Sequence, residues 1–384
     1  MKALILNHEF PPIGGGAGTA CFHTCRELNR LGVSVSVITS AYKDQPRFEV
    51  LDGVSIYRVP ALRQKTLEST TTEIVSFLLS ATVEAARFVR RENPDLIHAY
   101  FGLPSGAIGW ALNKLLGVPY LISFRGRDVH GGSAKGTNGI QGPMRWLSRP
   151  VWRSADSLIA NSDGLRDIAL NVLPEAQIGV IPNGVNADEF SQGSAHSDRT
   201  AEALYVGRLE SYKGLGDLLE AVRCARAAGA DFRLSIVGDG SIHTELKTQA
   251  TSLGVDDCVT FLGQIDRKRI PDHYRSADFL VLPSIVEGMP NTILEGMASG
   301  LPVLATQIPG SEELVDDRNG ILVEPSCPEA LADGLIALSA DTELRKRLGK
   351  ESRKKAMKRS WRSVAEAYLR VYRKLVTEER RCAA

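Results

Sequence analysis

The sequence has few of the features that mark secreted, membrane-spanning or metal-binding proteins. Its six cysteines are scattered over 384 residues without a Cys-x2-Cys pair, so neither a disulfide framework nor a thiolate metal site is expected. No segment approaches the roughly 20 apolar residues that cross a bilayer, and the opening run MKALILN is too short for a signal peptide. We therefore expect a cytoplasmic chain without a resident metal or cofactor.

The charges are nearly balanced, with a net charge of +1, so nucleic acid is not an expected partner. One segment departs from this balance: between Arg345 and Arg362 there are ten basic residues and one acidic residue, at helical spacing. A solvated helix face explains such a segment. The alternative is a peripheral contact with anionic lipids on the inner face of a membrane. The sequence leaves both interpretations open.

Short apolar runs, turns and amphipathic stretches alternate along the chain, which is typical of parallel α/β units. Strands are predicted at residues 2–6, 34–39, 96–99, 120–123, 157–160, 178–181, 203–206, 233–237, 259–262, 279–282 and 302–305. Helices are predicted at residues 17–31, 71–91, 215–228, 244–253, 291–299 and 328–340. Together they predict two facing, doubly wound, Rossmann-like domains with a cleft at the carboxyl ends of their strands.

The length also favours two domains, since one domain usually holds about 100 to 200 residues. We place the first domain at residues 1–185 and the second at residues 186–360, next to a polar stretch at residues 191–200. Residues 361–384 carry apolar side chains at helical spacing. We predict that this last helix packs back on the first domain.

Two glutamates flank a turn after the predicted strand at residues 279–282. Glu287 lies in the turn, and Glu295 lies in the helix that follows it. Helix N-termini bind anions through backbone N–H groups, and carboxylates accept hydrogen bonds from vicinal sugar hydroxyls. The segment therefore indicates an anion site between two carboxylates, although a dipole partner and a solvated loop residue would explain the glutamates equally well.

Two cations follow another predicted strand: Arg208 and Lys213 lie in the loop after residues 203–206. A planar guanidinium and an ammonium suit a diphosphate. Such cations neutralise a leaving diphosphate without a metal, and the chain contains no Asp-x-Asp. Metal independence is therefore predicted.

A glycine-rich loop follows the first predicted strand and contains Gly14, Gly15 and Gly16. Consecutive glycines let the backbone approach a phosphate or a sugar. Thr19 occupies the place of the third glycine in a dinucleotide-binding motif, which argues against a dehydrogenase.

Taken together, these motifs resemble the family-4 retaining glycosyltransferases of GT-B fold over nearly the whole chain. The resemblance implies that Arg208 and Lys213 bind the donor diphosphate, that Glu287 contacts the transferred sugar, and that Glu295 holds the ribose. It further implies donor contacts from a set of mostly backbone groups: Gly16, Gly263, Gln264, Ile265, Gly288, Met289, Pro290 and Asn291.

The first domain departs from the family in one motif. Many relatives have His-Gly-x-Asp after the strand at residues 120–123, whereas this chain has Arg125 in the place of the histidine. Asp128 keeps the match and joins Arg208, Lys213 and Glu287 in the predicted catalytic set. Acceptor contacts are predicted for four residues: Gly14, Gly15, Arg125 and His130.

The family resemblance implies transfer of a hexosyl unit from a UDP or GDP sugar to a hydroxyl group. The acceptor would be a glycan, a lipid-linked molecule or a small molecule, as in polysaccharide biosynthesis. Two other functions stay open on the sequence alone. One is a nucleotide-sugar epimerase or phosphorylase of similar fold, and the other is a non-catalytic protein that binds sugar nucleotides.

Overall fold

The computed structural model describes residues 1–63, 70–126, 129, 148–193 and 200–382. The chain divides into two compact units. The first unit contains Met1–Asn183 together with Trp361–Ala384, and the second contains Gly184–Ser360. The chain thus leaves the first unit once and returns to it at Trp361.

The first unit contains an eight-stranded sheet with the order β3-β4-β2-β1-β5-β6-β7-β8. Its strands are β1 (Lys2–Leu6), β2 (Ser34–Ser40), β3 (Phe48–Leu51), β4 (Val54–Val59), β5 (Leu96–Tyr100), β6 (Tyr120–Ser123), β7 (Ser157–Ala160) and β8 (Ile178–Val180). All neighbours are parallel except β3 and β4, which form an antiparallel hairpin at the edge. Strands β5 and β6 are buried along their whole length, as expected for parallel strands covered on both faces.

Helices cover this sheet: α1 (Gly16–Arg30), α2 (Thr71–Glu92), α3 (Ser105–Leu116), α4 (Asp163–Leu170) and α12 (Trp361–Cys382). Side chains fix where two of them begin. Thr70 and Glu73 form a reciprocal capping box at α2, and the Ser162 hydroxyl caps α4 by accepting a hydrogen bond from the Leu165 amide. Helix α12 packs beside α1, where Trp361 stacks on His23 with ring centroids 5.3 Å apart.

The second unit contains a six-stranded, fully parallel sheet with the order β11-β10-β9-β12-β13-β14. Its strands are β9 (Ala201–Val206), β10 (Phe232–Val237), β11 (Val259–Gly263), β12 (Phe279–Leu282), β13 (Val303–Thr306) and β14 (Gly320–Val323). Its helices are α5 (Leu215–Ala227), α6 (His243–Ser252), α7 (Ile270–Ser276), α8 (Asn291–Ala298), α9 (Pro309–Glu312), α10 (Pro328–Ala340) and α11 (Thr342–Ala356). Short 3-10 helices lie at Ser211–Lys213 and Arg267–Arg269.

The predicted α/β fold class is confirmed, and the prediction missed three strands at the sheet margins. Strands β3 and β4 are joined by Asp52 and Gly53, both with positive φ, and an Asp-Gly pair is a strong hairpin signal. Strand β14 is only four residues long. The basic segment is not one helix, because α11 ends at Ala356 and α12 begins at Trp361.

Candidate active site

The site in the second unit begins where two neighbouring parallel strands end. Strand β9 leads into the loop that carries Arg208 and Lys213, and β12 leads into the loop that carries Glu287. A hydrogen bond of 2.9 Å from the Ile285 amide to the Tyr212 carbonyl joins the loops. Gly214 is required at this contact, because it has φ +66° and a Cβ there would lie 2.0 Å from the Pro283 carbonyl oxygen.

Lys213 and Glu287 form an ion pair across the two loops. The Lys213 Nζ lies 2.5 Å from the Glu287 Oε1, and these side chains are only 12% and 13% exposed. The Ser284 hydroxyl donates a second hydrogen bond of 2.8 Å to the same oxygen. The structure therefore brings together a predicted diphosphate cation and the predicted sugar carboxylate in a site largely shielded from water.

Tyr205 lies beneath this loop and supports Arg208. Its buried hydroxyl donates to the Arg208 carbonyl over 2.9 Å. Burial, and then the negative charge of Glu287, raise the pKa of Tyr205 well above its usual value, so the hydroxyl keeps its proton for this bond. Gly207 leaves room for it, since a Cβ there would lie 2.7 Å from the tyrosine oxygen. Sequence reasoning missed Tyr205, because a tyrosine within an apolar strand is typical of any buried core.

Glu295 lies in α8 and is held by two residues that sequence reasoning also missed. Its Oε2 accepts a 3.1 Å hydrogen bond from the Tyr274 hydroxyl, and its Oε1 lies 3.7 Å from the Arg267 Nη2. Burial raises the pKa of Glu295 to about 6, while Arg267 and the Tyr274 hydrogen bond act in the opposite direction. The basic run at residues 267–269 was a signal in the sequence that could have identified Arg267.

The N-terminus of α8 lies between the two glutamates in sequence, at the turn formed by Gly288, Met289 and Pro290. Among the residues that the structure describes, no side chain caps this helix start, and its first turn contains no acidic residue. The positive end of the helix dipole is therefore not offset by a carboxylate in the first turn. Gly310 lies close beneath the turn, since a Cβ there would lie 2.4 Å from the Gly288 carbonyl oxygen.

The predicted base-binding segment lies at the end of β11. The Gly263 carbonyl accepts a 2.8 Å hydrogen bond from the Gly238 amide, and Gly263 itself has φ +68°. Gln264 is exposed, whereas Ile265 is partly buried against the core of the second unit. The segment thus ends at the same edge of the sheet as the loops after β9 and β12.

In the first unit, the glycine-rich loop joins β1 to α1. Gly14 has φ +90°, Gly15 precedes α1 as its N-cap, and Gly16 is the first helical residue. The Glu9 carboxylate accepts a 3.4 Å hydrogen bond from the Gly15 amide. A side chain of the loop itself thus holds its backbone at the carboxyl end of β1.

Arg125 follows β6, and among the described residues it hydrogen-bonds two neutral side chains of the first unit. It donates hydrogen bonds of 3.0 Å to the Asn183 side chain and to the Tyr368 hydroxyl. Its guanidinium carbon lies 4.3 Å from the centre of the Tyr100 ring, within the range of a cation–π contact. The other two predicted residues of this region, Asp128 and His130, lie outside the described residues.

A buried network continues from Arg125 into the core. The Tyr368 hydroxyl lies 2.9 Å from the Ser123 hydroxyl, and His98 connects Ser123 to Tyr372 through 2.7 Å contacts at its two ring nitrogens. Burial, and then the charge of Arg125, lower the pKa of His98 well below its usual value, so the imidazole is neutral at pH 7. No local sequence pattern predicts this network, because its tyrosines come from α12, far along the chain from His98 and Ser123.

Two further observations concern metals and membranes. Within the described ranges, no group of three or more His, Cys, Asp or Glu side chains is arranged to hold a metal ion. Over the same part of the chain, no helix combines the length and the apolar character that crossing a membrane requires.

The two α/β units, one of which carries cations and carboxylates at the carboxyl ends of its strands, have the architecture of the GT-B glycosyltransferases. Known families match both halves of the chain. Residues 15–184 match the family described as "Glycosyl transferase 4-like domain", and residues 186–355 match the family described as "Glycosyl transferases group 1".

The sequence is also similar to individual glycosyltransferases over nearly its whole length. The chain is 30% identical to a D-inositol 3-phosphate glycosyltransferase of Saccharomonospora viridis, over 94% of this chain and 89% of that protein. It is 27% identical to the uncharacterized glycosyltransferase MJ1178 of Methanocaldococcus jannaschii, over 98% and 99% of the two chains. The chain belongs to the family-4 glycosyltransferases of GT-B fold.

Solved structures support the fold. Sucrose-phosphate synthase from Thermosynechococcus elongatus has a TM-score of 0.87 at 23% identity, over 98% of this chain and 100% of that chain. Anabaena HepE, solved in complex with UDP and glucose, has a TM-score of 0.77 at 18% identity, over 97% and 100%. At these identities the likeness establishes the architecture and leaves the substrate to the chemistry of the site.

Proposed function

We propose that this chain is a retaining, metal-independent hexosyltransferase that uses a UDP or GDP sugar as donor. The observation that carries the proposal is the shielded Lys213–Glu287 pair in loops from adjacent strands. Arg208 lies in the same loop as Lys213, and Tyr205 of β9 holds its backbone carbonyl. Cations in such a place stabilise negative charge on a departing diphosphate. A related structure adds support, since HepE was solved in complex with UDP-glucose.

The second unit supplies the donor site in this proposal, and the first unit supplies the acceptor site. The acceptor hydroxyl attacks the anomeric carbon from the face that the diphosphate leaves. The bond from that carbon to the phosphate oxygen breaks, a bond to the acceptor oxygen forms, and the acceptor proton passes to the leaving phosphate oxygen. Arg208, Lys213 and the amides at Gly288–Asn291 stabilise the charge on that diphosphate, Glu287 contacts the sugar, and Glu295 accepts the ribose hydroxyls.

The test is an incubation of UDP-glucose or GDP-mannose with and without candidate acceptors. Because several relatives are named D-inositol 3-phosphate glycosyltransferases, inositol phosphate is the first small acceptor to include. A transferase releases nucleotide and forms a glycoside with retained anomeric configuration only when acceptor is present. An epimerase changes the sugar without acceptor, and a non-catalytic binding protein shows no turnover.

The same assay in excess EDTA tests metal independence. Where a metal bridges a diphosphate, hard oxygen ligands hold the ion, whereas the phosphate partners proposed here are positively charged. We expect turnover to continue after chelation. Loss of turnover in EDTA with recovery on adding magnesium or manganese would show that the roles of Arg208 and Lys213 are wrong or incomplete.

We also propose a peripheral contact with anionic membranes through the basic segment that begins at Arg345. The proposed contact leaves out four basic residues that make hydrogen bonds within the fold: Arg345, Arg353, Lys355 and Arg359. Six remain exposed: Lys346, Arg347, Lys350, Lys354, Lys358 and Arg362. Flotation with anionic and neutral vesicles at low and high salt tests the contact, and equal behaviour on both vesicles would reduce the segment to a solvated face.

A further inference from the structure

Glu295 is a largely buried carboxylate, 13% exposed, whose two oxygens have different neighbours. Tyr274, which is itself buried, reaches Oε2 from α7. Arg267 reaches Oε1 from the 3-10 helix before α7, and its side chain is 45% exposed. One oxygen is therefore held from the interior and the other from the surface.

We propose that Tyr274 and Arg267 are positioning residues that keep Glu295 ionised and oriented to accept the hydroxyls of the donor nucleoside. The inference rests on the proposed function, which assigns Glu295 to the ribose, and it extends the donor site to two residues that do not themselves touch the donor. An ionised carboxylate accepts two hydroxyl hydrogen bonds at once, whereas a protonated one must itself donate. The charge state of Glu295 therefore sets how well the donor is held.

The surroundings of Glu295 make this charge state sensitive to its neighbours. Burial favours the neutral acid and raises the pKa of Glu295 to about 6, and the nearby carboxylate of Glu189 acts in the same direction. The positive charge of Arg267 and the hydrogen bond from Tyr274 favour the carboxylate. Removing either one shifts the balance toward the protonated acid, which binds the donor less well.

Tyr274 is well placed for a fixed role. Its hydroxyl lies 3.1 Å from the carboxylate and 3.3 Å from the Thr292 carbonyl, and its ring packs edge-on against Phe190 with centroids 5.4 Å apart. Burial and the charge of Glu295 raise the pKa of Tyr274 well above its usual value. The tyrosine therefore remains a hydrogen-bond donor throughout the pH range in which Glu295 titrates.

The pH dependence separates a positioning role from direct contact with the nucleotide. Tyr274 orients Glu295 from the interior, so Arg267 acts through the charge of the carboxylate. Its loss then matters only where Glu295 takes up a proton, and the effect disappears at high pH. If Arg267 binds the diphosphate directly, its loss weakens binding by the same factor at every pH. Sugar nucleotides are suitable probes because they lack the terminal phosphate group that titrates near pH 6.

The experiment is calorimetric binding of UDP-glucose and GDP-mannose between pH 5.5 and pH 8.5. For the wild type, binding should weaken as the pH falls through about 6. For Arg267→Ala, the midpoint should move upward, with affinity reduced by up to about fivefold at the acidic end and equal to wild type at pH 8 or above. Arg267→Lys should restore most of the wild-type profile, and Tyr274→Phe should shift the midpoint in the same direction as Arg267→Ala.

Two controls assign the titrating group. Glu295→Gln removes the carboxylate and should abolish the loss of affinity at acidic pH. Arg269→Ala is the matched surface change, because Arg269 lies in the same 3-10 helix and its charge acts on His273, whose pKa burial and this arginine lower. If the midpoint of the pH profile moves in Arg269→Ala and not in Arg267→Ala, the loss of affinity at acidic pH is due to His273, and the inference is overturned.

The outcomes also distinguish the inference from the proposed function. If the wild type binds neither sugar nucleotide at any pH, the proposed donor site is wrong and the inference fails with it. If the wild type binds and the Arg267→Ala and Tyr274→Phe profiles coincide with it, the inference alone is overturned. A pH-independent loss in Arg267→Ala would instead make Arg267 a direct contact.

Discussion

Lys213 and Arg125 are both cations that follow a strand of a parallel sheet, yet their surroundings differ. Lys213, after β9, pairs with the Glu287 carboxylate. Arg125, after β6, binds the neutral side chains of Asn183 and Tyr368. A cation paired with a carboxylate across two loops can also hold an anionic ligand, whereas a guanidinium bound to an amide and a buried phenol ties parts of the fold together. The position of a cation at the end of a strand therefore does not define its role; the groups that it contacts do.

Replacing the cations of the second unit gives the largest expected effect. Arg208→Ala and Lys213→Ala should each lower kcat/KM by about one to two decades, because a charge-assisted hydrogen bond is worth about 1.5 to 3 kcal/mol in the transition state. Arg208→Ala should change the melting temperature little, whereas Lys213→Ala also takes the cation from the shielded Glu287 carboxylate and should lower it, so both variants are assayed well below their melting temperatures. Lys247→Ala, at an exposed position of α6, is the matched control. Unchanged kcat/KM in both variants would remove the diphosphate role from this loop.

Replacing Arg125 should reverse this pattern, with stability lost before activity. Arg125→Ala removes the hydrogen bonds to Asn183 and Tyr368 and the contact with the Tyr100 ring, so we expect a loss of about 2 kcal/mol in the free energy of unfolding. Urea titrations measure this loss, and donor KM well below the melting temperature should remain near wild type. A raised acceptor KM at unchanged stability would instead support the predicted acceptor contact. Arg125 would then bind a substrate, as is proposed for Lys213.

The smallest effect concerns His98 at the inner end of the Arg125 network. The pKa of His98 in the folded protein is lowered. Around and below pH 6.5 the unfolded chain therefore binds more protons than the folded one, and the free energy of unfolding decreases as the pH is lowered. Between pH 7.5 and pH 5.5 this contribution amounts to about 1.4 kcal/mol. His98→Asn should be less stable at pH 7.5 and should lack this part of the decline. An equally steep decline in the variant would assign it to other groups.

The sequence predicted the central strands and the charged loops, because their patterns are local. It did not predict the Lys213–Glu287 pair, since those residues are 74 positions apart and meet only because β9 and β12 are neighbours in the sheet. The same reason applies more strongly to His98 and Tyr372, which are 274 positions apart. Local patterns reveal which side chains carry charge, while strand order and helix docking decide which of them meet.

The return of the chain to its first unit has a consequence for the order in which the protein is made. Trp361, Tyr368 and Tyr372 belong to the core of the first unit, yet they follow the whole second unit in the chain. During synthesis the second unit can complete its sheet and fold, whereas the first must wait for the segment after Ser360. Until then its apolar face beside α1 stays open to solvent and to chaperones. The unit that is made first is therefore the one that finishes folding last.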